Sequence, residues 1–355
     1  MMRTKTRGAA LTGGLALALA LSACGGNGQQ NGAGADGDGT TAAPGGEETI
    51  TIGFSQRRLA GSDWWATLLQ GAEDKAAEIG AQIIVTDAGG DTVKQNSDVQ
   101  TLLTQGIDVL IINPHDPTGV AGGVNAAVQD DVPIVVVNSN LADDLAQNQF
   151  CYVAEDQEQV AAGLGAQIAE FAKERFGDAD EPLQAVVVGG YSGETVTTWR
   201  HDGVVAGYDS VEDAPEIEYL PIRYGEWLPD RALDPVRDVA TANPDLDIVF
   251  SLSDVMLPGI KQGLADAGIL DQVIIGTYDG QMAVLQEMIE NPDGPVLANA
   301  SNEPYKQGET AVEMAVAAAR GESQESVCPG GEFWIDTFLA TPENAEEYFD
   351  PDRQF

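Results

Sequence analysis

Two α/β domains in succession, each a wound parallel sheet with helices on both faces, are the fold class that three observations predict. From Thr49 onward, short runs rich in Val and Ile alternate with longer segments of helical periodicity. The runs at 108–112 and 133–137 are near-continuous rather than alternating, which marks strands buried on both faces of a parallel sheet. The rhythm completes one set and restarts near Gln157, in a chain of 355 residues that is long enough for two ordinary domains.

Taken in order, 49–54 is the first strand, and Ser62 is placed as the N-cap of a helix over 63–79. Strand 82–86, helix 91–105, strand 108–112, helix 120–129 and strand 133–137 complete the first set. The second opens with a helix over 157–175, then strand 184–188, a Gly-rich turn and a helix over 195–208. Later strands are expected at 216–222, 247–251, 273–276 and 295–300, with helices near 230–242, 255–267 and 280–290. A last helix over 305–320 precedes a short β segment at 333–335. Ligands of wound sheets sit outside the strand C-termini, so the loops there are the place to look for function.

The N-terminus is built differently. Arg3, Lys5 and Arg7 precede an apolar stretch over 9–21 and then Leu21-Ser22-Ala23-Cys24. A basic head, a short apolar core and small residues at the cut make an export signal over 1–23, too short to remain as a membrane span. Leu-Ser-Ala-Cys resembles the lipobox of bacterial lipoproteins, which implies lipidation of Cys24; the alternative is an ordinary signal peptide. Residues 24–48 are Gly, Asn, Gln, Ala, Asp and Thr with hardly a large apolar side chain, the composition of a flexible linker. The expected location is extracytoplasmic, with the membrane reached through the lipid anchor only.

The formal charge is −40, and removal of the signal takes away three cations and no acid. Such a surface repels nucleic acid, so no nucleic-acid partner is expected. Cys151 and Cys328, far apart in an exported domain, most simply form one disulfide; the alternative is two separate buried thiols. Metal binding is not expected. No C-x-x-C occurs, His115 and His201 are isolated, and Asp36, Asp38 and Glu47 miss a calcium loop because Thr41 stands where that loop needs glycine. No cofactor is expected either.

The pieces form an ordered set. Ile52-Gly53-Phe54-Ser55-Gln56 is followed by the run from Gln105 to Ile112, then by Pro133 to Asn138. Gly193, Arg200 and Gly203 come next, then Ser253-Asp254, Gly276-Thr277-Tyr278-Asp279-Gly280, Asn302-Glu303-Pro304 and Thr341-Pro342-Glu343-Asn344. Across 49–348 the chain resembles the type I periplasmic sugar-binding proteins, the ribose- and galactose-type receptors of ABC importers. The resemblance implies two lobes joined by a three-crossover hinge, 49–154 plus 303–334 and 155–302 plus 335–355. The crossings would fall near Glu155-Asp156, Asn302-Glu303 and 334–336, with Cys151 and Cys328 close to the hinge. It also implies a monomer that binds a small carbohydrate or polyol, engages ABC permease subunits and is not an enzyme.

A sugar presents hydroxyls that both donate and accept, and apolar C–H faces; planar polar side chains and an aromatic plate answer them. Ser55 and Gln56 at the first strand end, with Trp64 and Trp65, are candidates, Trp64 being favoured for stacking because helix neighbours point about 100° apart. Asn138 is a candidate at the end of 133–137, although many family members have Asp-Arg where Asn138-Ser139 stands. Arg200 matches the family arginine that donates a fork of hydrogen bonds to sugar oxygens. Asp254, Asp279 and Asn302 follow strands of the second half, Asn302 at the second crossing. Arg57 and Arg58 are read as solvated loop arginines; the other reading is contact with an anionic sugar acid or phosphate.

Two other readings remain. An exported hydrolase lacks its signature, because Gly189-Gly190-Tyr191-Ser192-Gly193 misses G-x-S-x-G and no histidine has an evident partner. A binding component of a sugar sensor would share fold and site.

Overall fold

The computed structural model describes residues 49–353 and 355. The expected export signal over 1–23, Cys24 and the expected linker over 24–48 lie outside the described residues. The first sheet takes β1 (Thr51–Gln56), β2 (Gln82–Asp87), β3 (Val109–Ile112), β4 (Ile134–Val137) and β5 (Cys151–Ala154) from consecutive chain. Between them run α1 (Asp63–Ile79), α2 (Thr92–Thr104), α3 (Ala121–Gln129) and the single turn α4 (Asp143–Ala146). The second sheet takes β6 (Leu183–Gly189), β7 (Ile217–Tyr219), β8 (Arg223–Tyr224), β9 (Leu246–Ser251), β10 (Ile274–Asp279) and β11 (Val296–Ser301). Its helices are α5 (Gln157–Phe176), α6 (Thr195–Asp209), α7 (Pro229–Ala242), α8 (Leu257–Ala267) and α9 (Met282–Glu290). The chain then returns through α10 (Pro304–Ala319) and α11 (Gln324–Val327) to β12 (Glu332–Trp334) on the first sheet. It ends with β13 (Leu339–Ala340) on the second sheet and α12 (Ala345–Tyr348).

The strand orders are β12-β5-β4-β3-β1-β2 and β13-β11-β10-β9-β6-β7, with β8 also pairing β6. Every pairing is parallel except β11 with β13. These are two α/β lobes with parallel-sheet cores, as the rhythm predicts. The run over 108–112 shows why the strands read as unbroken hydrophobic. In β3, Val109 and Ile111 pack with Leu68 of α1 and Val312 of α10, while Leu110 and Ile112 pack with Leu102 of α2 and Val124 of α3. Both faces are dry, so no polar residue is tolerated at alternate positions.

Two expectations need correction. The strand expected over 216–222 covers only β7, ending at Tyr219, and pairing resumes beyond the expected range in β8, because Pro221 has no N–H for a ladder and interrupts it. The strand β5 was not anticipated; four residues after a polar loop carry little pattern until β4 and β12 flank them. Cys151 at the start of β5 and Cys328 are joined by a disulfide, Cα–Cα 5.9 Å, which ties the returning segment to the first lobe. Among the described residues no helix is long and apolar enough to cross a membrane, and no group of three or more His, Cys, Asp or Glu is placed to hold a metal.

Candidate functional site

Both sheets send their strand C-termini toward one cleft. There a space of about 370 Å³, counting the part open to solvent, is lined from the first lobe by Arg57, Ser62, Trp64, Trp65 and Asn138. The second lobe contributes Glu194, Val196, Arg200, Trp227, Ser253, Val255 and Asp279, and the second crossing contributes Asn302. The lining mixes indole rings with fixed polar groups, as small-molecule sites do.

Arg200 is the centre of the polar wall. It is carried on α6, whose close packing on α5 holds the guanidinium against Gln157 Oε1 (2.6 Å), the Leu252 carbonyl (2.6 Å) and Asp279 Oδ1 (2.9 Å). The plane lies over Tyr278, 3.7 Å from the ring centroid. Asp279 ends β10 and also accepts from Ser253 Oγ, from the Asp254 N–H (3.2 Å) and from Asn302 Nδ2 (3.4 Å). Burial raises its pKa above the ordinary carboxylate value, while Arg200 and Ser253 pull it back. Arg200 keeps its charge because Asp279, Tyr278 and Glu155 outweigh the effect of burial.

Asn138 and Asp279 both adopt positive φ, 62° and 129°. Such conformations are costly for residues with a side chain, least so for Asn and Asp, and they turn the chain sharply where β4 and β10 end. Trp64 and Trp65 both line the cleft and both are 5 % exposed, so neither is purely core. Trp64 Nε1 is buried with no hydrogen-bond partner among the described residues, whereas Trp65 lies beneath the Arg58 guanidinium at 5.8 Å.

Six of the nine predicted ligand residues line the cleft: Trp64, Trp65, Asn138, Arg200, Asp279 and Asn302. Three do not. Ser55 accepts from Gln95 Nε2 (3.4 Å) inside the first lobe. Gln56 accepts through Oε1 from the Arg57 N–H (2.9 Å) and from Asn113 Nδ2 (2.8 Å). Asp254 accepts from Thr277 Oγ1 (2.6 Å), the Gln281 N–H (2.8 Å) and Asn299 Nδ2 (3.0 Å); burial and the charge of Asp279 push it up to about 8. All three brace loops behind the wall. They stand at or near strand ends as expected, but each side chain is engaged by partners within its own lobe instead of lining the cleft.

Arg57 is the larger correction. It is not solvated: 3 % of the residue is exposed, and it pairs with Glu194 across the cleft at 2.7 Å. Sequence reasoning also missed Glu194 and Trp227. Trp227 sits on a loop where it and Glu226 both have positive φ. The one available signal is Gly190, where a Cβ would lie 1.9 Å from the Trp227 ring. Glu155, in the first crossing, is fully buried, accepts from Gln307 Nε2 (2.6 Å) and stands 3.6 Å from Arg200. Burial pushes it up to about 7 against the pull of Arg200.

Two wound lobes, three chain crossings and a polar, aromatic cleft between them are the architecture of a solute receptor. The family described as periplasmic binding protein domain matches residues 52–323. The chain belongs to that family, in its type I sugar-binding branch. The ribose import binding protein of Salmonella typhimurium is 25 % identical over 287 residues, covering 80 % of this chain and 88 % of the relative. That of Bacillus subtilis is 26 % identical over 271 residues, covering 76 % and 82 %. An ABC transporter solute binding protein from Mycobacterium smegmatis, solved with bound glycerol, superposes with a TM-score of 0.74 at 29 % identity, covering 84 % of this chain and 96 % of that one. These relatives are binding proteins, which sets the hydrolase reading aside.

Proposed function

We propose that this protein captures one neutral sugar or polyol between its lobes and delivers it to an ABC importer, held outside the cytoplasm by lipid on Cys24. The lobes are 49–154 plus 303–334 and 155–302 plus 335–355, and they close on the ligand. The observation that carries the ligand class is the pairing of charge in the cleft. Both guanidiniums of the lining already face carboxylates, Arg57 with Glu194 and Arg200 with Asp279, each within 3 Å. A neutral hydroxyl ring can share such hydrogen bonds, whereas an acid or phosphate would compete with the carboxylates for them. Indoles from both lobes offer flat apolar surface for C–H faces. The import proteins for ribose among the relatives and the glycerol-bound neighbour support delivery to an importer and a polyhydroxy ligand.

Calorimetric titration with pentoses, hexoses, cyclitols, polyols and the matching sugar acids tests this, with small-angle scattering at saturation. At least one neutral probe should bind without turnover and compact the molecule. Arg200→Ala and Asp279→Ala should each weaken that binding by roughly 2–4 kcal/mol, because each leaves a buried polar partner unpaired. Binding confined to the acids, turnover of a probe, or no compaction would sink the reading.

A further inference from the structure

Arg57 follows β1 on the first lobe, and Glu194 stands at the N-terminus of α6 on the second. Their side chains, 4 % and 7 % exposed, meet at 2.7 Å. Each is fixed from its own side. Arg57 Nη1 donates to Ser139 Oγ at 3.0 Å, and Nη2 faces His115 Nδ1 at 3.2 Å. Glu194 Oε2 accepts from Trp227 Nε1 at 2.7 Å and from Thr197 Oγ1 at 3.2 Å. On the same flank His115 of the first lobe packs edge-to-face on Tyr191 of the second, centroids 5.6 Å apart.

The pair also separates two spaces. On one side lies the indole-lined cavity; on the other is a smaller interlobe space bounded by His115, Ser139, Asn140 and Thr195. Glu194 and Val196 line both, and Arg57 reaches from the first space to residues of the second. We propose that Arg57 and Glu194 are specificity-determining residues: joined across the lobes, they form a partition that ends the ligand compartment. It admits a single ring and rejects a ring substituted on the side facing His115. The inference rests on the reading that the cleft binds a neutral sugar or polyol.

The physical reason is that a substituent cannot pass without parting the pair. Parting it strands two buried charges, which costs more than a methyl or a second ring regains by burial. Neutral residues of similar volume would hold the fold equally well, so a buried ion pair here is better explained by selection of shape than by stability.

The test uses the exported part of the chain, parent and Arg57→Ala/Glu194→Ala, titrated with ribose, allose, myo-inositol and the positional O-methyl derivatives of whichever ring binds. The parent should bind at least one O-methyl isomer tenfold or more weaker than the free ring, and the double variant should reduce that ratio to threefold or less for the same isomer. Should the double variant not fold, Glu194→Ser, which leaves Arg57 its contacts with Ser139 and His115, is measured by the same ratio. A parent that accepts every isomer as tightly as the free ring overturns the partition, as does a variant that keeps the parent's ratio for every isomer. A parent that binds none of the free rings overturns the functional reading and the partition with it. That failure is distinguishable because it appears before any substitution is made.

Discussion

Glu155 shows how a single residue can tie the cleft to the hinge. Its carboxyl sits where the chain first crosses between lobes, bonded to Gln307 of α10 and facing Arg200, Asp279 and Glu303. In the folded state burial holds its pKa at about 7, above the ordinary 4.5. The folded protein therefore binds this proton more tightly than the unfolded chain does. The resulting stabilisation is full below the ordinary value and is lost as pH rises through about 7. Glu155→Gln is neutral at every pH and should remove that slope. Between about pH 5 and about pH 8 the parent should lose up to about 3 kcal/mol relative to the variant. Parallel curves of melting temperature against pH would refute it. Arg200 was legible through its match to the arginine of the family the chain resembles, and Asn138 and Asp279 because they stand at strand ends. Arg57, Glu194 and Trp227 were not, since each depends on a partner from the other lobe or from a distant loop.

Packing of helices sets where those side chains stand. On α5 and α6 a Cβ at Gly207 would lie 1.9 Å from the Ala162 carbonyl oxygen, and one at Gly165 would lie 2.1 Å from that of Val204. Only glycine lets the two backbones approach this closely, and α6 is the helix that presents Arg200. Gly207→Ala should cost about 1–3 kcal/mol in urea unfolding and loosen ligand binding with it. Gly163, also on α5, faces open space, so Gly163→Ala should stabilise by about 0.5–1 kcal/mol. Equal effects at the two sites would mean that the close approach is not what Gly207 is for. The βα rhythm made most elements readable, because strands dry on both faces cannot hide among polar residues. The failures were short pieces, β5 and the β7–β8 pair, whose few residues become strands through their neighbours.

For the molecule as a whole, export and tethering are expectations from the first 48 residues, and ligand capture is proposed for the cleft of the rest. Cys24→Ala, expressed in a bacterial host that lipidates such signals, should lose membrane partitioning or stall before signal removal. Normal processing with unchanged partitioning would count against the anchor. One acyl chain binds a membrane only marginally, so stable tethering requires at least two on this residue. The disulfide between Cys151 and Cys328 acts at the same scale. It covalently joins β5 to the segment that returns to the first lobe, two pieces of that lobe far apart in the chain.

The amino-acid order by itself determined the class of fold and the restart that makes two lobes, and the family resemblance it carries pointed to six residues that line the cleft. Fold class and restart are local properties, periodicity and composition; Asn138 and Asp279 stand at strand ends, whereas Trp64, Trp65 and Arg200 lie on helices and were reached through the shared motifs. Only the tertiary structure decided which strand-end side chains enter the cleft, that Ser55, Gln56 and Asp254 turn inward, and that Arg57 crosses to Glu194 instead of meeting solvent. Those outcomes depend on the meeting of segments 137 residues apart, as with Arg57 and Glu194. A buried charge is settled by whichever partner closure brings within reach, and no local pattern along the chain encodes that distance.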